Sequence, residues 1–376
     1  MKICFIHNLY QARGGAEKFV ANLAAANQRL GGSSAVIATA AIDQARQEII
    51  DNIKVYYLPS RFPLLNTMNW PKKWWWLAGN FYGTGRLRAV RQIIDQEKSD
   101  LIITNNLFGL GFVFFSLARL SGVPAVHILH DGQLLHPSGL FFYKKDSKAN
   151  GWPAKIYQKL TRYCARSAAV VISPSRWLLE WHTQRGFFKH ARCQVLPNPW
   201  PTSQPRQRTV AKTFNLLYIG QLETHKGVKT LLNAWSALAG DRDIKFTLSV
   251  AGRGSLRKLV AEQAGDNFHY LGFLSGESLT KALEQAHCLV VPSLVWENYP
   301  TVVAEALATG LPVIASRLGG LAEMLPEACL FTPNNPIALA AKAQEAATHY
   351  DKFQPATVSG LSAETYLQKI SQWAKT

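Results

Sequence analysis

Acidic side chains are scarce in this sequence, with 24 Asp+Glu against 41 Lys+Arg and a formal net charge of +17. The shortage is local: residues 1–200 hold 25 Lys+Arg and 10 Asp+Glu, whereas residues 201–376 hold 16 and 14. A first half with that balance attracts a polyanion, whether an anionic membrane surface, an acidic glycan or lipid phosphate, or nucleic acid. Cysteine is sparse too. Cys4, Cys164, Cys193, Cys288 and Cys329 are scattered, odd in number and without a Cys-x-x-Cys pair, which argues against a disulfide framework and a zinc site. No apolar run approaches the roughly 20 residues of a membrane span. The longest candidate, Leu107 to Leu120, contains glycines and Arg119 and reads as a buried helix. After Lys2 the apolar run is only Ile3 to Ile6, too short for a secretory signal, so the expected location is the cytosol.

What is present is a repeating α/β pattern. Strand-length apolar segments alternate with helical patterns at Ile3–Ile6, Val36–Ala38, Val55–Leu58, Leu101–Ile103, Ala125–Leu129, Ala169–Ile172 and Val195-Leu196. A turn-rich patch from Pro197 to Pro205 interrupts it, and the pattern resumes at Leu216–Ile219, Phe246–Val250, His269–Leu271, Leu289–Val291, Val313-Ile314 and Leu330-Phe331. Such alternation predicts parallel sheets covered on both faces, and 376 residues exceed what one core usually supports. The expectation is two doubly wound, Rossmann-like domains, 1–197 and 213–356, with a linker at 198–212 and a closing helix within 357–376. Ligands of such sheets bind beyond the strand carboxyl ends, so a central cleft between facing domains is expected.

The most informative stretch is Pro292 to Gly320. It reads as strand end, loop, helix and strand, with Pro300 suited to the first helical position and Gly310 to a left-handed cap. Glu297 lies on the loop and Glu305 inside the helix, with seven residues between them. Glu305 is surrounded by Ala304, Ala306, Leu307 and Ala308, so its burial requires hydrogen-bond donors, which a ligand rich in hydroxyls supplies. A surface Glu and a capping Glu are the plainer reading of the pair alone. The free N–H groups at the start of the same helix suit an anion, and hydroxyls plus phosphate describe a nucleotide-sugar.

At these residues the chain resembles glycosyltransferase family 4, retaining enzymes of the GT-B fold whose signature pairs two glutamates at this spacing. The resemblance implies that Glu305 holds the ribose, that Glu297 holds the donor sugar, and that Asn298, Tyr299, Pro300 and Thr301 line the donor. In Tyr218 to Gly227 it places Lys226 on the leaving diphosphate, where a cation offsets developing charge. The family usually has Arg where Gln221 stands, which removes one of two expected cations; Arg13 and Arg253 are candidates to replace it. Gly14 and Gly15, at a strand-to-helix turn, resemble the family's Gly-Gly-x-Glu loop beside the donor phosphates, a position where glycine permits close approach of backbone. His130, in His127 to Gly132 at a strand end, matches the residue that contacts the donor sugar. Phe273 falls in the segment facing the nucleotide base, and Gly319-Gly320 in the closing loop. Ser173-Pro174-Ser175 is similar to the family's turn after a long strand and also fits an N-cap with Pro at N1.

Other motifs are weaker. Gly252-Arg253-Gly254 lacks the third glycine of a dinucleotide fingerprint, so a nicotinamide enzyme is discounted. Asp241-Arg242-Asp243 imitates a metal-binding Asp-x-Asp but sits where a solvated turn belongs; no metal and no other cofactor are expected, the nucleoside diphosphate sugar being a co-substrate. Lys72, Lys73, Trp74, Trp75 and Trp76 have the composition of a membrane interface. Packing on the domain, acceptor binding and base stacking also fit them, and nucleic acid is the weakest of these because no RNA-binding motif accompanies it. Phe141 to Lys159 adds to the basic aromatic face and reads as a mobile loop. The expected function is transfer of a hexose-type sugar to a glycan or lipid-linked acceptor at the inner face of a membrane. An epimerase of the same fold and a non-catalytic membrane-docking protein are the rivals.

Overall fold

The computed structural model describes residues 1–10, 14–60, 69, 79, 81, 84–144, 147–200, 213–355 and 360–375. The cluster Lys72 to Trp76, Arg13 and residues 201–212 of the expected linker lie outside them. In chain order the first stretch runs β1 (Lys2–Ile6), α1 (Gly15–Arg29), β2 (Ser33–Ala40), β3 (Arg46–Ile50), β4 (Ile53–Pro59), α2 (Thr84–Glu97), β5 (Leu101–Thr104), α3 (Leu117–Ser121), β6 (Ala125–Ile128), α4 (Ser147–Asn150), α5 (Trp152–Ala165), β7 (Val170–Ser173), α6 (Arg176–Thr183) and β8 (Arg192–Val195). Then follow β9 (Thr213–Ile219), α7 (Val228–Leu238), β10 (Lys245–Ala251), α8 (Arg257–Ala261), β11 (Phe268–Gly272), α9 (Gly276–Gln285), β12 (Cys288–Val291), α10 (Thr301–Ala308), β13 (Val313–Ser316), α11 (Leu321–Met324), β14 (Leu330–Phe331), α12 (Pro336–Thr348) and α13 (Ala363–Lys375).

The chain divides into two units. The first comprises Met1–Leu140, Ser147–Pro199 and Leu361–Thr376; the second comprises Phe141–Asp146 and Trp200–Gly360. The first holds an eight-stranded sheet ordered β3-β4-β2-β1-β5-β6-β7-β8, and the second a six-stranded sheet ordered β11-β10-β9-β12-β13-β14. Each therefore has the doubly wound plan, in which strand order reverses beside the first strand: between β1 and β5, and between β9 and β12. Near-continuous apolar runs such as Cys4 to Ile6 and Cys288 to Val290 are buried, as strands covered on both faces must be.

In the first unit, α1 turns Phe19, Val20, Leu23 and Ala24 into the core, where Tyr366 of α13 is fully buried and its ring meets Phe19 edge-on at 5.6 Å. Arg29 on α1 pairs with Glu364 on α13. In the second unit the core joins both faces of the sheet, with Leu231 and Trp235 of α7, Val303 of α10 and Leu339 of α12 packed among the strands.

Four expectations need correction. The first sheet is not wholly parallel, because β3 pairs antiparallel with β4. Its sequence, RQEII, is mostly polar and edge-exposed, and the signal lay instead in Asp51 and Asn52, whose φ values of 50° and 61° make the tight hairpin turn these residues favour. Leu107 to Leu120 is not one helix. Gly109 and Gly111 adopt φ of 97° and 140°, outside the helical region, so only a 3-10 turn at Phe112–Ser116 and the short α3 form. The N-cap after β7 is Ser175, whose hydroxyl accepts from the Leu178 N–H at 3.2 Å; Pro174 precedes the cap rather than following it. Finally, Phe141 to Tyr143 is not a loose loop. It forms a short antiparallel pairing with the segment before Glu297, through Tyr143 N–H to the Leu294 carbonyl at 2.9 Å and Trp296 N–H to the Phe141 carbonyl at 3.0 Å, and beyond it the chain enters α4 and α5. Asp241-Arg242-Asp243 is a turn as expected, the Asp241 carboxylate accepting from the N–H groups of Asp243 and Ile244.

Candidate active site

In the second unit the polar groups gather where strand order reverses. β9 ends at Ile219 and leads through a 3-10 turn, Thr224–Lys226, into α7. β12 ends at Val291 and leads to Ser293 and Glu297. The Lys226 Nζ donates to Glu297 Oε1 at 2.7 Å, and the Ser293 hydroxyl donates to the same oxygen at 2.9 Å. Both charged side chains are partly buried, 26% and 16% exposed. At that exposure an ion pair contributes about 1 kcal/mol or less to stability, so its significance is chemical: a cation and a carboxylate held ready at a strand end.

Backbone contacts fix the pair. Gly227 has φ of 75°, and a Cβ there would stand 1.7 Å from the Pro292 carbonyl oxygen, so the Lys226 turn and the Glu297 loop are locked together where only glycine fits. The Leu294 N–H donates to the His225 carbonyl at 2.9 Å. Gly320 closes the third side: its N–H donates to the Glu297 carbonyl at 2.8 Å, and a Cβ would stand 1.6 Å from the Asn298 carbonyl oxygen.

The helix α10 begins one residue after Pro300, which is the N-cap rather than the first helical residue. Its opening N–H groups, at Thr301 and Val302, precede the first intrahelical bonds and carry the positive end of the helix dipole. Glu305 is partly buried on the same helix, between the buried Ala304 and Ala306. Tyr299 stacks on Trp200 at 5.6 Å between ring centroids, and burial raises the pKa of its hydroxyl. Gln221 is exposed, with its carbonyl accepting the Tyr218 hydroxyl at 2.7 Å. Beside it, the Arg253 carbonyl accepts the Leu222 N–H at 2.8 Å, and Ser255 anchors Glu223 through its N–H and hydroxyl at 2.7 and 2.6 Å. Those Ser255 bonds hold the Glu223 carboxyl below the usual range. Arg253 lies 4.4 Å over the ring of Phe273, itself 57% exposed.

In the first unit the corresponding strand ends carry uncharged histidines and one acid, Asp131. Gly14 caps α1, its N–H donating to the Glu17 carboxylate at 2.7 Å, and Gly15 is the first helical residue. His130 follows β6, with Nε2 2.8 Å from Asn105 Oδ1. The Asn105 amide nitrogen donates to the carbonyls of Ile6 and Ile103, so its oxygen faces the ring, Nε2 carries the proton, and Nδ1 keeps the lone pair. Burial pushes the His130 pKa down to about 4. Burial, with His130 nearby, pushes His7 and His127 to about 3. His127 sits against Thr104 Oγ1 at 3.0 Å and Phe115 at 4.6 Å, a packed structural position. Asp131 moves the other way: burial raises its carboxyl to about 6, against the Gln133 N–H that lowers it. Asn105, His127, His130, Asp131 and Gln133 line a small cavity at these strand ends.

Sequence reading did not single out Ser293 or Asn105, and it took Phe141–Tyr143 for part of a mobile loop rather than a strap. Ser293 and Asn105 share one signal, a polar residue just beyond a strand at a topological switch point. The strap has none, since its partner lies about 150 residues away.

Two family models match the chain in succession: a glycosyl transferase 4-like domain over residues 14–199 and glycosyl transferases group 1 over residues 213–349. The chain belongs to the group 1 glycosyltransferases. An uncharacterized 42.6 kDa protein in the cps region of Klebsiella pneumoniae is 24% identical over 86% of this chain and 87% of its own length. An uncharacterized glycosyltransferase of Methanocaldococcus jannaschii is 32% identical over 62% and 61%, and the O-antigen chain mannosyltransferase B of Escherichia coli is 29% identical over 39% and 40%. Among solved structures, Anabaena HepE in complex with UDP-glucose superposes with a TM-score of 0.67 at 19% identity, covering 100% of this chain and 98% of that one. The fold is GT-B. No helix among the described residues is long and apolar enough to cross a membrane.

Proposed function

We propose that this chain transfers a hexose-type sugar from a nucleoside diphosphate sugar to a glycan or lipid-linked acceptor, in the synthesis of a cell-surface polysaccharide or glycolipid. The observation that supports this best is the Lys226–Glu297 pair at the point where strand order reverses in the second sheet. The solved neighbour that binds UDP-glucose and the relative named for O-antigen mannosyl transfer point the same way.

The residues divide the work by charge. An arriving diphosphate competes with Glu297 for the Lys226 ammonium, and the N–H groups opening α10 add further positive potential. Glu297, released from Lys226 but still held by Ser293, accepts hydroxyl groups of the sugar. Glu305 takes the ribose hydroxyls, Asn298, Tyr299 and Phe273 flank the donor, and Arg253 supplies the second cation in place of the exposed Gln221. His130, neutral at physiological pH, contacts a sugar hydroxyl and adds no charge. The family resemblance supports retention by front-face displacement, in which the leaving diphosphate takes the acceptor proton; the reaction needs no metal because Lys226 and backbone dipoles offset the leaving charge. The basic first unit docks on an anionic inner membrane face, with Lys72 to Trp76 toward the membrane or acceptor.

Thermal unfolding with UDP, GDP, ADP, CMP and their sugar conjugates tests this. A ligand at about 100 times its dissociation constant stabilises by roughly 2.7 kcal/mol. One nucleotide gives that shift, and Glu305→Ala loses it while folding normally. No shift with any nucleotide, in folded protein, refutes the donor reading; unchanged affinity in Glu305→Ala refutes the ribose assignment.

A further inference from the structure

The helix α5 leaves an apolar face in solvent. Trp152, Ile156, Leu160 and Tyr163 are 75%, 46%, 47% and 62% exposed, and at 100° per residue they fall within an arc of about 80°. The opposite face is sealed: Ala154, Gln158, Thr161 and Ala165 are buried. The stripe is thus a second face, unused by the fold, on a helix already anchored through the first. Four large apolar side chains in line exceed the scattered exposed residues of an ordinary surface.

Charge identifies what covers it. Lys155, Lys159, Arg162 and Arg166 are exposed and lie together along one edge of the stripe. No Asp or Glu occurs from Ser147 to Leu179. The Arg166 guanidinium sits 3.8 Å from the Tyr163 ring centroid, and Arg162 donates to the Arg185 carbonyl at 2.7 Å, so both cations are held at the rim. An apolar strip with Trp and Tyr, bordered by cations and free of acids, matches the boundary between acyl chains and anionic headgroups.

We infer that α5 is an in-plane membrane anchor, its Trp152–Ile156–Leu160–Tyr163 stripe entering the headgroup boundary of an anionic bilayer. This rests on the reading of the basic first unit as a membrane-facing one and names the element responsible, which is distinct from Lys72 to Trp76. It also ties docking to the cavity beside His130. From the buried side of α5 and its edge, the Tyr157 hydroxyl, Thr161 hydroxyl and Gln158 amide donate to the consecutive carbonyls of Gln133, Leu134 and Leu135, at 2.8, 2.7 and 3.0 Å. The loop that follows His130-Asp131 is therefore bolted to the helix on the lipid, which places that cavity near lipid-borne acceptors.

Co-sedimentation with phosphatidylcholine vesicles, with and without phosphatidylglycerol, tests the inference using the full chain. Binding is expected only to the anionic vesicles and is weakened by salt. Ile156→Glu with Leu160→Glu abolishes it, and the triple change Lys155→Gln, Lys159→Gln, Arg166→Gln lowers partitioning roughly a hundredfold. All five substitutions are at exposed positions, so the unfolding midpoint and the nucleotide-induced shift remain as in the parent, and these two readouts report on the donor site independently of docking. Absence of binding by the parent, or parent-like binding by the Ile156/Leu160 variant, overturns the inference. So does a parent dimer that this variant dissociates while vesicle binding persists, which would make the stripe an interface between copies.

Discussion

The second unit presents Lys226 and Glu297 as an ion pair in loops locked backbone to backbone, whereas the first surrounds its strand ends with histidines that burial keeps uncharged, His7, His127 and His130. Under the proposed function, the contrast follows from what each meets. A diphosphate calls for a fixed cation, and a fixed cation needs a carboxylate to hold it in the empty site. A sugar hydroxyl calls for a lone pair, and a neutral imidazole supplies one without attracting counter-ions. Placement is secured by an ion pair and steric locks in one unit and by burial with hydrogen bonds between neutral groups in the other.

The comparison is broken most severely at its charged end. Lys226→Met is expected to lower kcat roughly 10²–10³-fold, as loss of one preorganised charge contact does, while stability changes by about 1 kcal/mol or less because the pair still reaches solvent. A variant retaining full activity would remove Lys226 from the chemistry. Gly320→Ala attacks the lock instead. Its Cβ would stand 1.6 Å from the Asn298 carbonyl, so the loop must move, at a cost of roughly 2–4 kcal/mol. Hydrogen exchange should show the loss in the second unit alone; equal loss in both, or none, contradicts the lock.

Acid sharpens the contrast in the other direction. Burial holds His7 and His127 at about 3 and His130 and His182 at about 4. As pH falls below about 6.5 the unfolded chain takes up protons at these positions and the folded unit does not, so stability declines from about pH 6.5 toward pH 4. Asp131, raised to about 6, opposes this, since between about pH 6 and pH 4 the folded unit holds a proton that the unfolded chain lacks. Four groups against one leave a net loss of several kcal/mol by pH 5. Denaturant midpoints between pH 7 and 5, read by exchange in β1, β5 and β6, check it. Replacing His182, away from the cavity, with Phe should flatten the pH dependence modestly, by the share of one histidine.

How much of this was legible beforehand follows from how local each interaction is. The stretch Pro292 to Gly320 showed its strand, loop, helix and strand because apolar runs, Pro300 and Gly310 act over a few residues. The loop Tyr218 to Gly227 was visible for the same reason. The partner of Glu297 was not, since Ser293 Oγ and Lys226 Nζ meet on one oxygen only after three crossovers align β9 beside β12. The edge strand β3 was hidden by its polar residues, and the strap at Phe141–Tyr143 by its distance along the chain.

The sequence by itself determined the alternation of strands and helices, the two sheets, the family and the positions of Glu297, Glu305 and Lys226, because period, turn residues and motif spacing are local properties of the chain. Tertiary structure alone decided that Lys226 rests on Glu297, that Asn105 sets the tautomer of His130, and that one face of α5 remains in solvent while the other holds the loop after Asp131. Each of these depends on which strand ends and helix faces are brought within about 3 Å, the range over which hydrogen bonds act, and strand order rather than residue order sets that neighbourhood.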